Sequence, residues 1–270
     1  MPLNPQRTDP TRTFTIRRGF RAEGRKRLKT LSSALWDVVV VRDSFGLGGG
    51  QGVFFGTADR QIEQWRGWLE TALRSTLLGN GTTKSGLPSG SPWFDRFTLD
   101  GFKRGVRRAY EQVRGGAEGR EAFVQGEMQK ATTREKVAVL NGVVRDRFDS
   151  LATFAVTQTT DALSGYLGSS ASPEELGRAL IDSLQTVAAR LELLTESSTV
   201  RAHADGQLVA FSDLGEVEVG VYLETARDGK VCEQCSVLDG KFFTVADAAG
   251  VIPVHVRCRC VFTPGTKASK

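Results

Sequence analysis

Residues 231–262 read VCEQCSVLDGKFFTVADAAGVIPVHVRCRCVF and hold all four cysteines and one of the two histidines of a 270-residue chain. A unit of roughly fifty residues with little apolar material needs a staple, so the concentration of soft donors here decides how the C-terminus folds. Cys232 and Cys235 form a CxxC pair after a turn, a spacing that lets two thiolates face one ion as in zinc ribbons. His255, Cys258 and Cys260 follow about twenty residues later. Thiolate and imidazole together favour zinc, and one structural zinc ion is expected. Tetrahedral zinc takes four ligands where five are offered. The favoured set is Cys232, Cys235, His255 and Cys258, with Cys260 as the substitute for His255. Lys230, Lys241, Arg257 and Arg259 would offset the thiolate charge. Disulfide pairing in an oxidising exterior and simple burial of reduced thiols are the other two readings.

Just upstream, EVEVGVYLET (216–225) alternates, with Val217, Val219 and Val221 on one face. That is the period of a strand. KFFTV and CRCVF supply two more short strands, and RDGK and LDGK are turn sequences. Residues 213–270 are therefore expected to form a small β-rich, metal-binding α+β unit.

The chain before it is helical. TADRQIEQWRGWLETALRSTLL places Ile62, Trp65, Leu69, Leu73 and Leu77 on one helix face, with Thr57 as cap and Gly79 as stop. The basic helix TLDGFKRGVRRAYEQVRGG spreads Lys103, Arg104, Arg107, Arg108 and Arg114 over its surface, which suits an anionic partner or a solvated face. Residues 133–167 read as one long helix. SPEELGRALIDSL opens another with Ser172 as N-cap, Pro173 in the first turn and Glu175 closing a capping box; it is expected to continue, with a break, to Phe211. LSSALWDVVVVRDSF could be a short helix passing into a strand, and its periodicity does not decide. The glycine run 46–52 lacks the Lys-Ser/Thr of a phosphate loop and reads as a turn, and 79–92 is a linker by composition. The expected organisation is a mainly α protein: a basic N-terminal arm (1–45), a helical body (46–212, with the linker near 79–92) and the β-rich unit (213–270).

Charge is uneven. The chain carries a net +5, yet residues 1–29 alone carry +7 and the remainder −2. Such an arm attracts phosphate or an acidic protein surface through a salt-screened field. It is expected to be mobile until it meets a partner, with Thr13–Ile16 as a β-prone stretch for a protein edge and 17–29 for phosphate. No apolar run approaches a membrane span, and the N-terminus has no secretory h-region; a protein made in a reducing cytoplasm is expected. His203 lies in a polar helical stretch and reads as solvated, and no nucleophile with a plausible base stands out.

The order TARDGKVCEQCSVLDGKFF, IPVHVRCRC and a closing TPG resembles the C-terminal signature of phage head morphogenesis proteins, the minor head proteins of the Mu F and SPP1 gp7 type. The matching positions are Asp228, Cys232, Cys235, Gly240, Pro253, His255, Cys258, Arg259 and Cys260, approached by Tyr222 and Thr225. Tyr222 stands where tryptophan is commoner, and Val254 and Val256 replace prolines usual beside the histidine. The resemblance covers about 201–264. It implies a non-enzymatic virion component at the capsid interior or portal vertex, acting in head assembly with links to DNA packaging or ejection. Its implied partners are the portal protein, the major capsid protein, packaged DNA through the basic arm, and further copies of itself. Two rivals are a zinc-dependent nuclease or toxin effector, which needs a metal-free base such as His255, and a zinc-ribbon nucleic-acid-binding regulator.

Overall fold

The computed structural model describes residues 9–47, 57–81, 89–166, 171–214 and 220–265. It is mainly helical: α1 (Phe14–Trp36, prolonged by a π-helical turn Asp37–Val41), α2 (Thr57–Leu78), α3 (Asp95–Arg114), α4 (Arg120–Gln129), α5 (Ala131–Tyr166) and α6 (Pro173–Leu214). A three-stranded sheet follows, formed by β1 (Gly220–Glu224), β2 (Phe242–Thr244) and β3 (Val261–Gly265), with short helices α7 (Glu233–Leu238) and α8 (Val245–Ala248) between the strands. No helix among the described residues is long and apolar enough to cross a membrane.

The chain divides into two compact units, each assembled from separate segments. One unit takes 21–93 and 144–192. Its core contains Leu28, Leu31 and Leu35 of α1, Trp65, Leu69, Leu73 and Leu77 of α2, and Phe148, Leu180 and Leu184 of α5 and α6. The α2 stripe expected from sequence is thus buried from Trp65 to Leu77, with Ile62 half-buried at its start. Trp68, off that stripe, is half-buried with its ring 5.4 Å from Trp65. Trp93 is pinned by its indole N–H donating to Leu77 O at 2.8 Å and by an edge-on contact with Phe148. The capping box of α6 is formed: Glu175 N–H donates to Ser172 Oγ at 3.2 Å, and Ser172 N–H to the Glu175 carboxylate at 2.8 Å.

The other unit takes 9–20 of the described N-terminus, 94–143 and everything from Leu193 on. Its centre is the crossing of α3 and α6. A Cβ on Gly105 would lie 1.9 Å from His203 O, and one on Gly206 would lie 2.1 Å from Phe102 O. These glycines let the two backbones touch, where any side chain would hold them apart. Around the crossing, Phe102, Val106, Leu208 and Phe211 form one core with Val221 and Leu223 of β1, Phe262 of β3, and Cys235, Cys258 and Cys260. In the sheet the order is β2–β1–β3, all antiparallel, with Val221 opposite Phe243 on one side and Leu223 opposite Phe262 on the other.

Several expectations are corrected. The stretch read as a mobile arm with a β-prone start is helical from Phe14. Its apolar residues Phe20, Leu28, Leu31 and Leu35 recur at helical spacing and are buried, a pattern obscured by the intervening arginines. The segment after Trp36 is the π-helical turn rather than a strand, and the break expected in α6 is absent across all 42 residues. The third strand starts at Val261, one residue beyond the last cysteine, so Cys258 and Cys260 lie in the preceding loop. α3 is not basic all round: Gly101, Phe102, Gly105, Val106 and Ala109 are buried, and Arg107 is held bidentately by Glu121 at 2.9–3.1 Å. His203 is fully buried, not solvated. The ends of the 79–92 linker are joined by a bridge between Asn80 and Pro92. Val217, Val219, most of the glycine run and residues 82–88 lie outside the described residues, as does the side chain of Thr57.

Candidate metal centre

Two loops and one short helix bring the Cys/His residues together. The first loop begins at Asp228, whose carboxylate accepts Lys230 N–H at 3.1 Å and turns the chain toward Cys232. Cys232 is the N-cap of α7, and its Sγ accepts the N–H of Cys235 at 3.5 Å. A CxxC pair set on the first turn of a helix faces both sulfurs to the same side. Asp239 closes the far end of α7: its carboxylate accepts Thr225 N–H at 2.8 Å and ties α7 to the end of β1.

The second loop runs from Pro253, after a cis Ile252–Pro253 peptide, to Cys260. Cys258 N–H donates to His255 O at 3.2 Å, and Arg257 takes a left-handed φ of 63° inside that turn. The turn is anchored on α6 through the Arg257–Glu196 ion pair at 3.5 Å. Next to it, Arg259 donates to both oxygens of Asp228 at 2.6 and 2.7 Å, joining the two loops. This guanidinium holds the Asp228 carboxyl down to about 2.

Cys235 stands at the meeting point. His255 Nε2 lies 3.0 Å from its Sγ and Cys258 Sγ lies 4.0 Å from it. Donor atoms of Cys232, Cys235 and His255 lie within 4.8 Å of one another, and so do those of Cys235, Cys258 and Cys260. All five residues singled out by spacing are therefore gathered, as two triads sharing Cys235. The edge of a tetrahedron with zinc–sulfur bonds of about 2.3 Å is roughly 3.8 Å, close to the Cys235–Cys258 separation. A cavity of about 20 Å³ is lined by Cys232, Cys235, His255 and Cys260, with Lys230, Arg257 and Arg259 at its rim. That is room for one small ion or water. His255 presents Nδ1 to Val256 O at 2.5 Å; a proton there leaves Nε2 as the lone-pair donor facing Cys235.

Cys235, Cys258 and Cys260 are buried while Cys232 and His255 are half-buried. Burial pushes the Cys235 thiol up to about 12. The hydrogen bond from Cys260 pulls Cys258 down to about 5, and Cys260 is pushed up in turn. A thiolate flanked by two thiols is a site that a cation would deprotonate further. The donor set and its geometry fit a metal ion.

Sequence reading did not single out Gln207. It is fully buried on α6; its amide donates to Phe262 O at 2.8 Å and accepts Phe262 N–H at 3.2 Å. This clamps the strand after Cys260 to α6. The only signal in the sequence is a glutamine beside the apolar run 208–211, and that identifies no partner.

Residues 157–263 match the family described as Phage Mu protein F like protein. The match starts within α5, spans α6, takes in all five Cys/His donors and ends within β3. No curated protein and no solved structure shows significant similarity to the chain.

Proposed function

We propose, from the match of residues 157–263 to the Phage Mu protein F like family, that the chain is a phage minor head (head morphogenesis) protein placed at the portal vertex, where it assists capsid assembly and DNA packaging or delivery. The observation that carries this reading is the coincidence of the family segment with the joined cysteine unit. Its role in this reading is structural: the Asp228–Arg259 pair, the Gln207 clamp and the thiol cluster all fix a surface in place. We propose that the cluster holds one zinc ion through Cys232, Cys235, His255 and Cys258, with Cys260 as the substitute for His255. Thiolate and imidazole donors select zinc over the hard cations.

The proposed partners are the portal protein, the major capsid protein, other copies of the chain, and packaged DNA facing the basic N-terminal region. The decisive experiment expresses the protein with the portal and major capsid proteins of its own phage. The full chain should co-sediment with assembled heads at low copy number. A chain lacking residues 225–270 should not, and its normal incorporation would remove the cysteine unit from assembly.

A further inference from the structure

A cavity of about 230 Å³ opens beside the start of α1 and is lined by Arg12, Phe14, Thr15 and Arg104. It lies wholly within the unit that also carries the cysteine cluster. Arg12 is not placed by chance. Its backbone adopts a left-handed φ of 52°, held by a buried polar platform. Thr11 Oγ donates to Asp9 at 2.6 Å, Thr13 N–H donates to Thr11 Oγ at 3.2 Å, and Arg17 pairs with the other Asp9 oxygen. Asp9, Thr11 and Thr13 are all buried. A residue that is strained on a rigid base projects its side chain in one direction.

Arginines crowd this cavity, with Glu111 and Glu224 in electrostatic reach of Arg108 and Asp100 in reach of Arg104. Arg12 reaches Glu111 at 3.2 Å, but Glu111 is also taken by Arg120. Arg104 makes no close ion pair among the described residues, and the carboxylate acting on it at longer range is Asp100, one turn earlier on α3. Arg108 lies near Arg12, and its buried Nε has no hydrogen-bond acceptor. Thr15 adds a hydroxyl, and Phe14 adds an aromatic ring beside the guanidiniums. Arginines with an aromatic face suit the phosphate and base of a nucleic-acid strand, whereas an acidic peptide has no use for the ring. The volume falls below the roughly 300–1,000 Å³ of pockets that enclose a drug-sized ligand, so it suits one nucleotide of a strand.

We propose that this cavity is a phosphate-binding site that takes one nucleotide of a single-stranded or frayed nucleic-acid end, with Arg12 and Arg104 on the phosphate and Phe14 against the base. The assignment is independent of the metal centre and of portal docking, and it rests on the reading that DNA faces the N-terminal region, which it narrows to one site and one kind of strand.

The test uses the full chain and a dye-labelled twelve-nucleotide DNA strand, followed by anisotropy at several salt concentrations. Arg104→Gln should weaken binding about tenfold and lower the salt slope by about one. Phe14→Leu should weaken binding with the slope unchanged. Arg60→Gln, an exposed arginine remote in sequence, should change neither beyond a single non-specific charge. Arg104→Lys checks folding: recovery of part of the affinity supports the site. Equal binding by wild type and Arg104→Gln overturns the proposal. So does full competition by a poly-glutamate peptide, which would make the pocket a protein-docking site. Saturation by inorganic phosphate with no added affinity for the strand would limit it to free anion and overturn the nucleotide assignment.

Discussion

His203 has both ring nitrogens buried without a hydrogen-bond partner, at the point where α3 and α6 touch. Burial, reinforced by Arg108, Arg104 and Arg17, lowers its pKa to about 3. A histidine that titrates near 6.5 when unfolded therefore takes up its proton in the unfolded chain first. The sign follows: this residue's contribution is complete above about pH 6.5 and is lost as pH falls toward 3. Between pH 7 and 5 it should remove about 2 kcal/mol of stability. Urea midpoints measured at both pH values should show a smaller pH dependence in His203→Leu than in the wild type; identical dependence would mean the imidazole is not desolvated. At Asp228 and Arg259, a double-mutant cycle with Asn and Gln replacements should give a coupling near 1 kcal/mol, since the pair is bidentate but partly exposed.

Helix packing makes the next prediction, from two glycines of opposite surroundings. Gly105→Ala drives a methyl into the His203 carbonyl and should cost about 3 kcal/mol or more, because two backbones must separate. Gly142→Ala sits mid-helix on α5 with nothing within 4 Å of the new methyl, and should stabilise by up to about 1 kcal/mol. Thermal unfolding of both variants measures the contrast, and a matching gain in both would show that α3 and α6 do not touch. The same elements show what the sequence made legible. The α2 stripe and the α6 capping box were readable because each is a local pattern. The CxxC and HxxCxC spacings were readable because ligand chemistry restricts them to few arrangements. The helical nature of 14–36 was hidden because charge suggested a solvated tail, while Phe20 and the three leucines followed a helical period. Gln207 was illegible: its partner lies 55 residues away, and no local rule connects a glutamine to a strand it has not yet met.

For the whole molecule, the four tryptophans (Trp36, Trp65, Trp68 and Trp93) all belong to the unit that lacks the cysteines. Metal removal should therefore be visible in one spectrum and silent in another. A strong chelator, or Cys235→Ser, should release about one equivalent of zinc and speed amide exchange across 220–265, while tryptophan emission keeps its native wavelength. Red-shifted emission on chelation would mean that the ion supports both units. Comparing His255→Ala with Cys260→Ser by zinc content then identifies the fourth ligand: the variant that retains a full equivalent has lost the spare. The Gln207 clamp also has a consequence for synthesis. At roughly 5–20 residues per second, the 55 residues separating Gln207 from Phe262 take about 3–11 s to make. Throughout that interval the α6 amide has no backbone to hold, and from the time β1 is made the central strand has no β3 beside it. A ribosome-bound chain thus spends seconds with the apolar edge of β1 uncovered, and that interval is when a chaperone, or a second nascent copy, has access to it.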